Sequence, residues 1–78
     1  MGKARLLIVE DDIDISTMLR IYFSSQGYDV DVAGRGSEAL EKTRHVMPHL
    51  IILDIMLPDI DGYGVCRTLR MNTRTSHI

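Results

Sequence analysis

The sequence contains a single cysteine, Cys66, and no strong excess of either charge. One cysteine cannot form an internal disulfide, and no Cys/His spacing typical of a metal site accompanies it. A reducing, cytoplasmic environment is therefore predicted. The formal net charge of −2 gives no basic field for nucleic acid. Direct nucleic-acid binding by this segment is not expected.

Long apolar runs, internal repeats and linkers are also missing. No apolar stretch approaches the roughly 18 residues that a membrane helix needs, so no membrane contact is predicted. No Pro/Gly/Ser-rich tract divides the chain. With 78 residues, of which 45% are apolar and 26% charged, the composition is that of one small globular domain. Domains of this size bury only about 60% of their surface and are marginally stable.

Two short apolar runs that end abruptly in acidic residues are the most informative feature. Residues 6–9 are followed by the acids at 10–12, and residues 50–53 are followed by Asp54. Apolar runs without alternation are typical of parallel strands buried on both faces. In open α/β sheets, the reactive groups lie at the carboxyl ends of such strands. Because close carboxylates repel one another, the pattern predicts a divalent metal ion beside a reactive aspartate.

The chain alternates between strand and helix patterns. The apolar spacing and the turn residues predict strands at 5–10, 28–33 and 50–54 and helices at about 14–26, 37–45 and 63–71. The second strand alternates between apolar and acidic residues, which predicts a half-exposed strand at a sheet edge. The order β-α-β-α-β-α implies an α/β fold with a parallel sheet and right-handed crossovers.

Each predicted helix carries an apolar side. In the first helix it comprises five residues spaced i, i+3, i+4, i+7 and i+8, namely Ile15, Met18, Leu19, Tyr22 and Phe23. In the second helix, the residues predicted to face inward are Ala39, Leu40 and Thr43. In the third they are Val65, Cys66 and Leu69. Pro48 prevents the second helix from continuing.

The residues around the two acidic positions resemble the receiver domain of two-component response regulators. The resemblance rests on the sequence LIVEDD at residues 7–12 and LDIMLPDIDG at residues 53–62. The joint pattern, two acids after strand one and D-x-x-L-P-x-x-D-G after strand three, is highly specific. A spacing of 43 residues between Asp11 and Asp54 also fits that family.

The resemblance implies a doubly wound, flavodoxin-like α/β fold, whose strand order in the family is 2-1-3-4-5. Three βα units with strand order 2-1-3 are expected in this chain. Residues 1–78 are therefore expected to form the amino-terminal two-thirds of a receiver domain. Strands 4 and 5 and their helices are expected to be absent.

The same resemblance implies that Asp54 accepts a phosphoryl group from a histidine kinase or a phosphotransfer protein. The implied cofactor is Mg²⁺, held by Asp11 directly, by Glu10 through water, by Asp54 and by the backbone carbonyl of Met56. Domains of this family catalyse their own phosphorylation and dephosphorylation without being conventional enzymes. The Ser/Thr and Lys that assist this chemistry follow strands 4 and 5, so phosphorylation of the present chain is expected to be slow.

Individual residues also have other interpretations. Asp12 is predicted to be a helix N-cap rather than a metal ligand. Residues 59–62 resemble part of a calcium-binding EF-hand loop, but Leu57 and Thr68 stand where that loop requires acids. A haloacid-dehalogenase-type phosphatase needs a second aspartate where Met56 stands.

Two further functions compete with that of a phospho-acceptor. Flavin-phosphate binding requires a Ser/Thr/Gly-rich loop after strand one, where this chain has three acids. A module that acts only through protein interaction or dimerisation is the main alternative. If strand 4 is absent, one side of strand 50–54 has no backbone partner. The chain is then expected to form a homo-oligomer through that edge or through helices 1 and 3.

Overall fold

The computed structural model describes residues 2–54 and 56–78. Six elements alternate along the chain: β1 (Arg5–Val9), α1 (Ile13–Ser25), β2 (Asp29–Ala33), α2 (Gly36–Val46), β3 (Leu50–Leu53) and α3 (Gly62–Met71). Each boundary lies within one residue of its predicted position. The predicted α/β alternation is confirmed.

The three strands form one parallel sheet in the order β2-β1-β3, as predicted. In this register Val9 lies opposite Ala33 on one side and opposite Leu53 on the other. The carboxyl ends of the three strands are therefore level. Residues that directly follow them emerge at the same border of the sheet.

The centre of the core is β1, which has a strand on either side and helices on both faces. Its four apolar residues, Leu6, Leu7, Ile8 and Val9, are at most 1% exposed. Leu7 and Val9 pack with Ala33, Ala39 and Val65 beneath α2 and α3. Because strand side chains alternate, Leu6 and Ile8 face the opposite side, where α1 packs on β1 and β2. The prediction that this strand is buried on both faces is confirmed.

Helix α2 is bounded by residues that prevent its extension. At its carboxyl end Met47 adopts a left-handed conformation with φ of 50°, and Pro48 follows. The Arg5 side chain donates hydrogen bonds to the carbonyls of Val46 and Met47, at 3.0 Å and 2.9 Å from its Nε and Nη2 atoms. This contact attaches the end of α2 to the start of β1. Inside the helix, Thr43 is buried, as predicted.

The predicted apolar side of α1 is wrong for three of its five residues. Leu19 and Phe23 are half-buried and Ser16 is buried, so these three residues form the side against the sheet. The exposed residues are Ile15, Met18 and Tyr22, together with Ile13 and Ile21. Apolar residues occupy more than one side of this helix, so periodicity alone does not select the side that packs.

Cys66 is exposed rather than buried, contrary to prediction. Val65 is fully buried, and successive helical residues are rotated by about 100°, so Cys66 points away from the core. It lines an apolar groove of about 160 Å³ beside β3, together with Leu50, Ile51, Leu53, Leu69, Arg70 and Ile78. Among the described residues, β1 is the strand that pairs with β3. The groove adjoins the side of β3 that β1 does not cover.

Candidate metal centre

The backbone hydrogen bonds of the sheet continue one residue beyond β1 and β3. The amide of Glu10 donates to the carbonyl of Ala33 at 3.0 Å, and the amide of Asp54 donates to the carbonyl of Val9 at 2.9 Å. Both acidic residues are therefore held by the sheet itself. Their side chains start from adjacent, level positions at its carboxyl border.

Three of the predicted site residues come together at this border. Glu10, Asp11 and Asp54 each offer one carboxylate oxygen, and these atoms lie within 4.8 Å of one another. Glu10 and Asp54 are half-buried, whereas Asp11 is exposed. We refer to these three residues as the acidic cluster. The cluster is open to solvent on one side, so an ion or a small phosphorylated molecule can reach it.

Burial and neighbouring negative charges raise the pKa of Glu10 in the acidic cluster. Burial is the largest cause of a raised pKa for its carboxyl group, and the hydrogen bond from the Asp12 amide partly opposes it. The negative charges of Asp54 and Asp11 raise the pKa further. The folded protein thus holds the ionised form of Glu10 less favourably than the unfolded chain does. A bound cation would reverse this effect.

Asp12 does not belong to the acidic cluster. Its Oδ1 atom accepts hydrogen bonds from the amides of Asp14 at 2.9 Å and Ile15 at 3.2 Å. These are amides of the first turn of α1, so Asp12 is the N-cap, as its residue type predicts. The third acid after β1 therefore has a structural contact of its own.

Met56 lies close to Asp54 through its backbone. Its amide donates to the Asp54 Oδ1 atom at 3.3 Å, and its side chain is 81% exposed. The predicted contribution of Met56 is its carbonyl oxygen, which requires nothing of the side chain. Ile55, between the two, is outside the described residues.

Asp59 has a role that the sequence analysis missed. Its Oδ1 and Oδ2 atoms accept hydrogen bonds from the amides of Gly36 at 2.7 Å and Ser37 at 3.0 Å. The Ser37 side chain first, and then the Ser37 amide, hold the pKa of the Asp59 carboxyl well below its usual range. The partners are 22 and 23 residues away in the sequence, so no local motif indicates this contact.

The donor set of the acidic cluster suits a hard divalent cation. Carboxylate and carbonyl oxygens are the ligands that Mg²⁺ prefers, and Mg²⁺ needs only one or two carboxylates because it retains several waters. Three carboxylates within 4.8 Å meet this requirement, and a cation would offset the burial and the neighbouring negative charges that raise the pKa of Glu10. The residues at the site therefore fit Mg²⁺.

Comparison with known proteins gives one consistent result. The response regulator receiver domain family matches residues 6–78. The DNA-binding response regulator MtrA of Mycolicibacterium smegmatis is 42% identical over 71 residues, which cover 91% of this chain and 31% of MtrA. The present chain thus spans about a third of that relative.

Solved structures have the same architecture. The chemotaxis response regulator CheY4 of Vibrio cholerae superimposes with a TM-score of 0.92 at 31% identity, covering 96% of this chain and 62% of CheY4. The BeF3-activated N-terminal receiver domain of Klebsiella pneumoniae RstA gives a TM-score of 0.84 at 40% identity, covering 87% of this chain and 58% of that one. Within the described residues, no helix is both long and apolar enough to cross a lipid bilayer.

Proposed function

Because this chain belongs to the response regulator receiver domain family, we propose that Asp54 is its phospho-acceptor and that Glu10, Asp11 and Asp54 hold Mg²⁺. Phosphorylation by a histidine kinase is the function of that family. The observation that carries the assignment is the meeting of these three carboxylates at the carboxyl border of the sheet. Asp54 is the member of the acidic cluster that follows β3, as the family motif requires.

The proposed reaction is a phosphoryl transfer to the carboxylate of Asp54. One carboxylate oxygen attacks phosphorus of a phosphohistidine or a small phosphoryl donor. The new O–P bond forms as the P–N or P–O bond to the donor breaks, and the leaving group takes up a proton. The amide of Asp54 donates to the Val9 carbonyl, which fixes the backbone of Asp54. Asp54 is half-buried, so its carboxylate is positioned within the acidic cluster and remains accessible to a donor. Catalysis of this kind consists mainly of positioning and charge neutralisation.

Glu10, Asp11, Asp54 and the carbonyl of Met56 would hold the Mg²⁺ ion. When bound, the ion supplies neutralisation of the charge on the transferring phosphoryl group. The chain's own contribution is to keep the carboxylates together, even though burial, and to a smaller extent the charges of Asp54 and Asp11, raise the pKa of Glu10. Solvent exposure of Asp11 leaves room for the waters that Mg²⁺ retains.

The partner is proposed to be a histidine kinase or a phosphotransfer protein in the cytoplasm. The exposed, free thiol of Cys66 is in keeping with a reducing compartment. The chain spans about a third of MtrA and about 60% of the solved CheY4 chain. The activity of a whole response regulator is therefore only proposed here. The prediction that residues 1–78 are the first three βα units of the domain is part of the same proposal.

Mass spectrometry after incubation with a small phosphoryl donor and Mg²⁺ tests the acceptor assignment. A single phosphoryl group is expected on Asp54, and Asp54→Asn should remove it. Asp14→Asn is the matched control, because Asp14 is an exposed aspartate on α1 that lies outside the acidic cluster. A phosphoryl group located elsewhere, or uptake that is equal in the Asp54 variant, would reject the proposal.

Dimerisation is a second function, favoured by the side of β3 that pairs with no other strand in the described part of the chain. Leu50 is 48% exposed, and β3 consists only of Leu and Ile, without the Lys or Pro that usually protects an edge strand. We propose that a second copy of this chain pairs with that edge and covers the adjoining apolar groove. A two-fold dimer is the simplest closed arrangement, because the same patch then serves both copies.

A further inference from the structure

The loop that follows Asp54 supplies the cap of a helix to which it does not belong. The N-cap residue of α2, Arg35, makes no capping hydrogen bond with its side chain. The Asp59 carboxylate accepts the amides of Gly36 and Ser37 in its place, and it also accepts the amide of Ile60 at 2.8 Å. In contrast, α1 and α3 are capped by the aspartates directly before them, Asp12 and Asp61.

Close packing at the same place keeps the loop from sliding along α2. A Cβ atom on Gly36 would lie 2.8 Å from the Cβ atom of Ile60 and 3.0 Å from its carbonyl oxygen. Only a glycine allows the loop to approach so closely. On the other side of Ile60, Asp61 accepts the amide of Gly64 at 2.7 Å in the first turn of α3. Residues 59–61 are therefore attached to both helices.

The same loop begins at the acidic cluster. Met56, three residues before Asp59, donates its amide to the Asp54 carboxylate. Residues 56–59 thus connect the acidic cluster with the first turn of α2, where Asp59 accepts the Gly36 and Ser37 amides. Since Met56 and Asp59 are only three residues apart, the attachment of Asp59 to α2 restricts the positions open to Met56.

We propose that Asp59 is a positioning residue for the Mg²⁺ site: by tying residues 56–61 to the first turn of α2, it holds the Met56 carbonyl beside Asp54. This inference rests on the proposed function of the acidic cluster. It assigns Asp59 no contact with the ion. Its effect is to reduce the ordering that the loop must undergo when the ion binds, and preorganisation of this kind raises affinity.

Two substitutions at Asp59 remove its hydrogen-bond acceptors in steps. Asp59→Asn keeps the Oδ1 acceptor of the Gly36 amide, and asparagine is a good helix cap, but the substitution replaces the Oδ2 acceptor of the Ser37 amide with an NH2 donor. Asp59→Ala removes both acceptors. In calorimetric Mg²⁺ titrations of the protein, Asp59→Ala is expected to weaken affinity by about fivefold, as for a lost cap, and Asp59→Asn by less than about twofold. Lys42→Ala is the control, because Lys42 attaches α2 to β2 through Asp31 without touching the loop.

The outcomes distinguish this inference from the proposed function. Absence of Mg²⁺ binding by the unaltered protein would reject the metal site and the inference with it. If the unaltered protein binds Mg²⁺ and the Asp59→Ala variant binds it with the same affinity as the Asp59→Asn variant and the unaltered protein, the positioning role alone would be overturned. The unaltered protein gives a test that needs no variant: because coupling is reciprocal, Mg²⁺ should slow hydrogen exchange at the Gly36 and Ser37 amides. Unchanged exchange at saturating Mg²⁺ would also overturn it.

Discussion

The side of the sheet that carries α2 and α3 has a closed region and an open one. In the closed region, which we call the α2–α3 seam, Gly36, Ile60, Gly64 and Val65 approach so closely that added atoms would collide. In the open region, the β3 edge formed by Leu50–Leu53, one residue is about half exposed and a groove of about 160 Å³ adjoins the strand. Both regions are connected to the acidic cluster. The seam is joined to it by residues 56–61, and the β3 edge is directly followed in sequence by Asp54.

The contrast shows what each region is suited to bind. The seam leaves no room for a Cβ atom on Gly36, so it is suited to holding the loop in place beside the acidic cluster. Within residues 2–54 and 56–78, no strand pairs with the β3 edge on the side away from β1, and its side chains are apolar, which favours another strand rather than a small polar ligand. The acidic cluster lies between them and has excess negative charge, which favours a cation.

Leu50→Lys is expected to have the largest effect, because it places a charge at the exposed start of the β3 edge. Sedimentation should change from a dimer for the unaltered chain to a monomer, since a lysine on an edge strand opposes pairing. Met18→Lys on the exposed side of α1 is the comparison variant, and its dimer should persist. If the Met18 variant alone dissociates, the contact lies on α1; if the unaltered chain is a folded monomer at high concentration, the dimer proposal fails.

Gly36→Ala tests the closed seam. The new Cβ would meet Ile60 and Val65 within 3.0 Å, and one of those atoms is a backbone oxygen, so the fold must shift. We expect a loss of roughly 2 kcal/mol in the free energy of unfolding, as for overpacked cores. Gly64→Ala is the comparison variant, because its nearest contacts are side-chain atoms alone, Ile60 Cγ2 at 2.8 Å and Asp61 Oδ1 at 3.4 Å, so no backbone oxygen has to shift. Urea unfolding that gives equal values for both would refute the packing argument.

Glu10→Gln should have the smallest effect, and unlike Gly36→Ala it should raise the free energy of unfolding. The pKa of Glu10 is raised above its ordinary value of 4.5 in the fold, so the folded state binds more protons. Stability therefore falls as pH rises through this range, and at pH 7 the ionised carboxylate is unfavourable. Without Mg²⁺, Glu10→Gln should raise the melting temperature at pH 7, by a free energy below about 1 kcal/mol because the site is partly exposed. At about pH 3 the difference should vanish, since both side chains are then neutral; a constant difference would contradict the charge argument.

Much of the fold was predictable because its signals are local. The apolar run of β1 is buried on both faces, and each element boundary lies within one residue of its prediction. Acids that follow level parallel strands must emerge together, which is why the meeting of Glu10, Asp11 and Asp54 follows from their positions. The N-cap role of Asp12 was predictable from residue type.

Other features depend on contacts between distant segments. The side of α1 that packs on the sheet includes Ser16, and no periodicity argument favours a polar residue over Ile15 or Met18. The Asp59 contacts join a loop to helix residues 22 and 23 positions away. In the sequence, Asp59 has the pattern of an ordinary turn residue, so its partners become evident only when the loop is packed against α2.

The most direct test of the account is the melting temperature of the protein across a millimolar Mg²⁺ series, with Asp11→Ala beside it. If the acidic cluster binds Mg²⁺, a concentration about 100 times the dissociation constant should add about 2.7 kcal/mol to the free energy of unfolding. The melting temperature should therefore rise with Mg²⁺ in the unaltered protein and stay constant in the Asp11 variant. An unchanged melting temperature in the unaltered protein, or an equal rise in both, would contradict the assignment of this cluster as the metal site.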